Sequence, residues 1–149
     1  MKDNKNVNVC LTAHHHETVS GSCDTISEKA AGEYRFVNGS HVVSYDYQGT
    51  RCLYKFDGSQ VSVVRRDKYS TKIDYKKEGK AVCEGSILTP AGRLTLYFLT
   101  RDIVITEEEE YVKLELVYDI YGSEAPADDG YKGEDKAKVS EVQLILEIS

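Results

Sequence analysis

Apolar and polar side chains alternate with a period of two along most of this chain, and helical periodicity is almost absent. In the first such segment, the polar residues Asn8 and Cys10 separate Val7, Val9 and Leu11. Because successive side chains of a strand point to opposite faces, the pattern predicts strands with one apolar and one polar face. Similar rows recur at residues 34–36, 43–47, 52–56, 61–65, 73–75, 94–98, 103–105, 112–120 and 142–148.

Short turn signals separate these rows. Residue pairs that end in glycine favour tight hairpins, and Asn-Gly and Asp-Gly favour type I′ turns. Four such pairs lie between predicted strands: Asn38-Gly39, Gln48-Gly49, Asp57-Gly58 and Glu78-Gly79. Strands joined by tight turns predict an all-β fold, an antiparallel up-and-down meander. A long open sheet exposes its edges, so we expect closure into a barrel of about 8–10 strands.

The length of 149 residues fits a single barrel domain that spans residues 1–149. Two acidic segments interrupt the alternation. The run Glu107–Glu110 predicts a solvated hairpin tip rather than a site, and residues 122–137 predict a long acidic loop before the last strand.

Composition restricts the partners. The formal net charge is −6, which argues against a nucleic-acid-binding protein. No apolar run is long enough for a membrane span, and the chain shows no secretory leader, so we expect a soluble cytoplasmic protein without a membrane partner. No phosphate-binding loop or other cofactor motif is present, and we expect no cofactor. Four cysteines without regular spacing are interpreted as free thiols: Cys10, Cys23, Cys52 and Cys83.

Arg65 is the most informative charged residue. It continues the inward row of Val61 and Val63, so its guanidinium is predicted to point into the barrel. A charge inside a barrel needs a partner, and Glu28 is the candidate because it lies on an inward row of its own strand. Two interpretations stay open. In the structural one, Arg65 either forms an ion pair that closes the barrel or extends its charged group to water. In the functional one, Arg65 binds an anion at the mouth of a pocket.

Tyrosine supplies most of the predicted inward aromatic surface. Buried phenols need hydrogen-bond partners, which come from protein, water or a ligand. Either the interior is partly polar, or several hydroxyl groups reach the rim of the barrel and bind solvent. The inward tyrosines are Tyr34, Tyr45, Tyr47, Tyr54, Tyr75 and Tyr118. The candidate ligand-binding set is Arg65, Glu28, Tyr34, Tyr45, Tyr75 and Tyr118.

Three consecutive histidines, His14–His16, end the first predicted strand. His14 and His16 share one face and are therefore potential neighbouring metal ligands. No third ligand is evident, and we interpret the triplet as part of a polar outer face, without a metal.

The order of several motifs resembles the YwiB-like family of uncharacterised bacterial proteins. The resemblance runs from about Val7 to Ile148 and rests on Tyr45 before a glycine turn, Val63-Val64-Arg65, Tyr75, Thr89-Pro90-Ala91-Gly92-Arg93-Leu94 and Leu114-Glu115-Leu116-Val117-Tyr118. It implies a lipocalin-like (calycin-like) barrel and a bacterial cytoplasmic setting, and it implies no activity or substrate. Two positions depart from the family pattern, Asp67 in place of glycine and Ala91 in place of an aromatic residue. Asp67 is a further potential partner for Arg65 or Arg66.

Three functions follow as hypotheses. The first is a non-enzymatic barrel that binds a small amphipathic or acidic ligand through Arg65 and the tyrosines. The second is a structural or protein-interaction barrel with a filled interior, in which a homodimer would use outward apolar residues: Val42, Leu53, Val64, Tyr97, Leu99, Val117 and Tyr121. The third and least favoured is an enzyme whose catalytic groups would come from Glu28, Glu84, Arg65 and His15, and no catalytic residue is assigned.

Overall fold

In the computed structural model, the described residues form ten strands and no helix. The structure describes residues 4–68, 70–77, 82–90, 92–121 and 138–149. For residues 82–89 and 93–95 it describes the backbone only. The strands are β1 (Lys5–Glu17), β2 (Cys23–Val37), β3 (Ser40–Tyr47), β4 (Thr50–Phe56), β5 (Gln60–Arg66), β6 (Ser70–Lys76), β7 (Val82–Thr89), β8 (Gly92–Glu108), β9 (Tyr111–Tyr121) and β10 (Lys138–Ile148). The predicted acidic loop at residues 122–137 and the turn at Glu78-Gly79 lie outside the described residues.

The strands form one closed barrel in the order β1-β10-β9-β8-β7-β6-β5-β4-β3-β2. Every neighbouring pair is antiparallel, and the first and last strands close the ring from Val9 opposite Ile148 to Glu17 opposite Ser140. This arrangement confirms the predicted all-β meander and its closure. No helix in the described part of the chain is long and apolar enough to cross a membrane.

The turn chemistry agrees with two of the predicted hairpins and corrects a third. Asn38-Gly39 and Gln48-Gly49 both have positive φ at each residue, as type I′ turns require. Asp57-Gly58 was predicted to be of the same kind, but neither residue has positive φ. Instead, the Asp57 carboxylate accepts hydrogen bonds from the backbone N–H groups of Ser59 and Gln60 at 2.8 and 3.0 Å. A side-chain cap therefore replaces the left-handed turn.

The inward rows pack into one apolar core that includes Val43, Tyr54, Phe56, Leu114 and Leu146, each at most 1% exposed.

The exposure predicted from the sequence is wrong for residues on both faces of the sheet. Ile26, predicted on the inward row of Glu28, is 45% exposed because β2 extends beyond the core at its start, whereas Val42 and Tyr121, predicted on the outer face, are 7% and 0% exposed. The last two side chains are covered within a single chain and are unavailable to a second copy.

Gly32 on β2 lies where three strands approach most closely. A Cβ atom built there would lie 2.6 Å from the backbone oxygen of Ser44 on β3 and 3.0 Å from Cγ2 of Val9 on β1. The 2.6 Å distance is too short for a real contact, and a backbone oxygen held in a strand cannot move aside alone. The 3.0 Å distance is tight, and the Val9 methyl group would have to shift slightly. Gly32 is therefore required for the spacing of β1, β2 and β3.

We expect Gly32→Ala to lower the free energy of unfolding by about 1–3 kcal/mol, the usual cost of overpacking. Gly58→Ala is the matched control, because its Cβ would meet nothing within 4 Å and its φ is not positive. The control should stay within about 0.5 kcal/mol of the wild type. Urea denaturation followed by circular dichroism measures both, and equal midpoints for the two variants would contradict the crowding at Gly32.

Candidate functional site

Arg65 and Glu28 meet inside the barrel, as the inward rows predicted. Arg65 lies on β5 and Glu28 on β2, so the pair bridges strands that are not neighbours in the sheet. The guanidinium donates two hydrogen bonds to the carboxylate, Nη1 to Oε1 at 3.1 Å and Nη2 to Oε2 at 2.6 Å. The side chain of Glu28 is 8% exposed, whereas that of Arg65 is 28% exposed. The arginine is thus the accessible end of a buried, two-pronged ion pair.

Two tyrosines on the intervening strands complete this cluster. The Tyr45 hydroxyl donates to Glu28 Oε1 at 3.0 Å, and the ring of Tyr45 stacks on that of Tyr54 with centroids 6.3 Å apart. The Tyr54 hydroxyl hydrogen-bonds Arg65. Cys52, a buried free thiol, lies opposite Arg65 in the sheet register. We name Arg65, Glu28, Tyr45, Tyr54 and Cys52 the Arg65 cluster.

Burial governs the protonation of the Arg65 cluster. Desolvation raises the pKa of Tyr45, raises the pKa of Tyr54 to about 12, and raises the pKa of the Cys52 thiol. Desolvation is the largest single effect on Arg65 and lowers its pKa. The hydrogen bonds with Glu28 and the electrostatic effects of Tyr54, Cys52 and Glu28 together outweigh desolvation, so the net pKa is raised. The phenols and thiol are therefore neutral at physiological pH, and the guanidinium is charged.

A second group of aromatic residues fills the interior beyond this cluster. Tyr75 and Tyr118 are hydrogen-bonded to each other with ring centroids 4.5 Å apart, and Phe98 packs edge-on against both. Burial raises the pKa of both phenols. The hydroxyl of Thr100, opposite Tyr118 in the register, is buried and has no hydrogen-bond partner among the described residues.

Tyr34, the remaining tyrosine of the candidate set, belongs to a separate hydrogen-bonded chain with His41 and Glu107 at the other end of the barrel. Its hydroxyl lies 2.7 Å from Nδ1 of His41, whose Nε2 lies 2.6 Å from Oε1 of Glu107. His41 is 2% exposed and stacks on Phe56 with centroids 5.1 Å apart. Burial, followed by the Glu107 charge, raises the pKa of Tyr34 to about 12.

The predicted site residues thus divide into three groups: Arg65 with Glu28 and Tyr45, Tyr75 with Tyr118, and Tyr34, which lies with His41. Sequence reasoning included Tyr54 among the inward tyrosines but left it out of the candidate set. It placed Cys52 on an inward row as a free thiol but left it out of the site, and it missed His41, although both share inward parity with buried neighbours. The run Glu107–Glu110 is exposed at the end of the β8–β9 hairpin, as the solvated-tip interpretation expected. Sequence reasoning did not foresee that exposed Glu107 also pairs with buried His41.

Two of the three histidines lie on a polar outer face, as expected, whereas His15 is half-buried and follows the inward row of Leu11 and Ala13. His14 and His16 are exposed, with His14 Nδ1 3.1 Å from the Thr25 hydroxyl and His16 Nδ1 3.4 Å from the Glu141 carboxylate. No group of three or more metal-ligating side chains occurs within the described ranges. Asp67, the potential partner of Arg65 or Arg66, accepts a hydrogen bond from the Thr50 hydroxyl at 3.3 Å.

Comparison with known proteins gives a family and a fold. The family described as Domain of unknown function (DUF1934) matches residues 11–129 of the chain. The crystal structure of the ywiB protein from Bacillus subtilis superposes with a TM-score of 0.76 over 100% of this chain and 94% of that chain, at 15% sequence identity. No curated protein matches.

Proposed function

We propose, for a chain that belongs to the DUF1934 domain family, that the barrel is a non-enzymatic binding protein for a small amphipathic molecule with an acid group. The barrel would serve as lipocalin-like barrels do, in the cytoplasm of a bacterium. The free thiols Cys10, Cys23 and Cys52 agree with a reducing compartment.

One observation carries the proposal: Arg65 is inside the barrel and still 28% exposed. A guanidinium has five N–H donors in a rigid plane, and Glu28 occupies two of them. A further donor binds the Tyr54 hydroxyl, and the donors that remain would bind the carboxylate or phosphate of a ligand. Glu28 and Tyr54 hold the guanidinium in one orientation, so little side-chain entropy is lost on binding.

The Arg65 cluster also limits the ligand. Glu28 already neutralises Arg65, so recognition depends on hydrogen-bond geometry more than on net charge. A small ion that binds by charge alone gains little there. An acid group on an apolar body gains both the fork-shaped hydrogen bonds and burial of the body.

Octanoate and octanol provide a matched pair of probes, because they differ only in the acid group. We expect octanoate in tenfold excess over its dissociation constant to raise the melting temperature by about 3–6 °C, and octanol to have little effect. Arg65→Lys keeps the charge opposite Glu28 but loses the planar fork, and should abolish the octanoate shift. Equal increases in melting temperature for both probes, or an unchanged increase with octanoate in Arg65→Lys, would refute the proposed binding site at Arg65.

A filled structural barrel is the second candidate function. The tight packing of Phe98, Tyr75 and Tyr118 and the neutralised Arg65 favour it. In that case neither probe changes the melting temperature of the wild type, and the Arg65 cluster serves stability alone.

A further inference from the structure

The outer face of β3 is buried although no strand lies on top of it within the described chain. Ser40, Val42 and Ser44 point outward from β3, yet they are 7%, 7% and 9% exposed. The outer wall of a closed barrel is ordinarily solvent-facing, so burial of three successive outward side chains marks a concave surface, which ends at exposed Asp46.

Two adjoining clefts follow this row, with volumes of about 540 and 400 Å³. They share Asn6, Glu33, Ser44 and Arg51, so they form one elongated depression, which we name the β3 trough. Clefts of this size are typical of small-molecule sites. The floor of the larger cleft includes Val42, and half-buried Leu53 lies beside it.

Basic side chains line the trough of a chain whose overall charge is −6. Arg51 is held by Asp46 and by the Ser44 hydroxyl, both at 3.2 Å, and Lys5 pairs with Glu110. Arg35 differs from both, since it is exposed and makes no ion pair with any residue that the structure describes.

The register places Arg35 beside the apolar floor. Arg35 on β2 is directly opposite Val42 on β3, and opposite residues of antiparallel strands have Cβ atoms about 4.5–5.5 Å apart. An acid group bound to Arg35 would therefore carry an attached apolar body past buried Val42 and onto half-buried Leu53. Glu33, the one exposed carboxylate beside this position in the larger cleft, would oppose the charge of the ligand.

We propose that the β3 trough is a second binding site, distinct from the Arg65 cluster, for a small amphipathic anion whose acid group pairs with Arg35 and whose apolar body packs against half-buried Leu53. It lies on the outside of the barrel wall and needs no opening of the interior.

The fluorescent anion 8-anilinonaphthalene-1-sulfonate tests the proposal, because it has an acid group on a rigid aromatic body. We expect saturable fluorescence enhancement with the folded wild-type protein. Arg35→Gln should weaken binding at least fivefold, whereas Glu33→Gln should tighten it about twofold by removing the opposing charge. Arg66→Gln is the matched control, because Arg66 is equally exposed on the outer wall but does not line the trough.

Equal dissociation constants for Arg35→Gln and Arg66→Gln would overturn the proposal, and so would an absence of enhancement with the folded wild type. Near-ultraviolet circular dichroism must be unchanged in each variant, since loosened cores also bind this dye. Arg65→Lys separates the two sites: it should leave dye binding in the β3 trough unchanged, even if octanoate no longer binds at the Arg65 cluster. Loss of dye binding in Arg65→Lys alone would assign the dye to the Arg65 cluster and refute the trough.

Discussion

Raising the pH from about 9 to about 12 is expected to unfold the barrel in one cooperative step, because its core keeps tyrosine hydroxyls in the neutral form. Tyr34 and Tyr54 each have a pKa of about 12, against an ordinary value of 10.0. Below pH 10 both the folded and the unfolded chain hold these protons, and the stabilisation is complete. Between pH 10 and 12 only the unfolded chain releases them, so stability falls as the pH rises.

The size of the effect follows from the pKa difference. Each pKa unit corresponds to about 1.4 kcal/mol per group, so these two phenols together account for about 5 kcal/mol over the interval. The whole stability of a domain is about 5–15 kcal/mol. Burial also raises the pKa of Tyr45, Tyr75 and Tyr118, which adds to the loss in the same direction.

Phenolate absorbance and far-ultraviolet circular dichroism, recorded across the same pH series, measure this transition. We expect the buried phenols to ionise only as the β signal disappears, and both signals to recover when the pH is returned to neutral. Ionisation of all tyrosines near pH 10 with the β signal intact would contradict the buried phenols.

Glu28→Ala is expected to destabilise the barrel by about 3 kcal/mol. Removing one partner of a buried ion pair leaves the other charge without compensation, which typically costs about 3–5 kcal/mol. The lower end applies because Arg65 is 28% exposed and water reaches part of the guanidinium. The Tyr45 hydroxyl also loses its acceptor. Denaturant unfolding provides the measurement.

Two controls separate this effect from a general loss of charge. The double variant Glu28→Met with Arg65→Met replaces the ion pair by apolar side chains and should cost less than Glu28→Ala alone. Asp46→Ala removes a partner of Arg51 in a pair whose side chains are 53% and 70% exposed, and should change stability by less than about 0.5 kcal/mol. If Glu28→Ala and Asp46→Ala have the same effect, the Arg65 pair is not energetically buried.

Most of the fold and the centre of the candidate site could be predicted from local sequence patterns. Period-two alternation identified the strands, and parity along β5 and β2 brought Arg65 and Glu28 to the same interior. Alternation along a strand predicts side-chain direction because a strand has only two faces. A residue two positions from a core-facing apolar residue therefore faces the core as well.

Long-range placement and curvature could not be predicted in the same way. His41 and Glu107 are 66 residues apart, and which side chains meet across a barrel depends on strand stagger, which single rows do not encode. The exposed run Glu107–Glu110 gives no sign in the sequence that one member, Glu107, pairs with a buried histidine. Burial of Val42 on the outer face depends on the bending of the wall, and the cap at Asp57 depends on a side chain rather than on the glycine that follows it.

The contact between His41 and Glu107 joins β3 to β8, which lie on opposite sides of the ring with four strands between them in either direction. Such a contact cannot exist before the ring has closed, so it is absent while the first hairpins assemble. Interactions that form after the rate-limiting step slow the loss of the native state and leave the speed of its formation almost unchanged. We therefore expect the hydrogen-bonded chain of Tyr34, His41 and Glu107 to affect the unfolding rate of the native protein more than its folding rate.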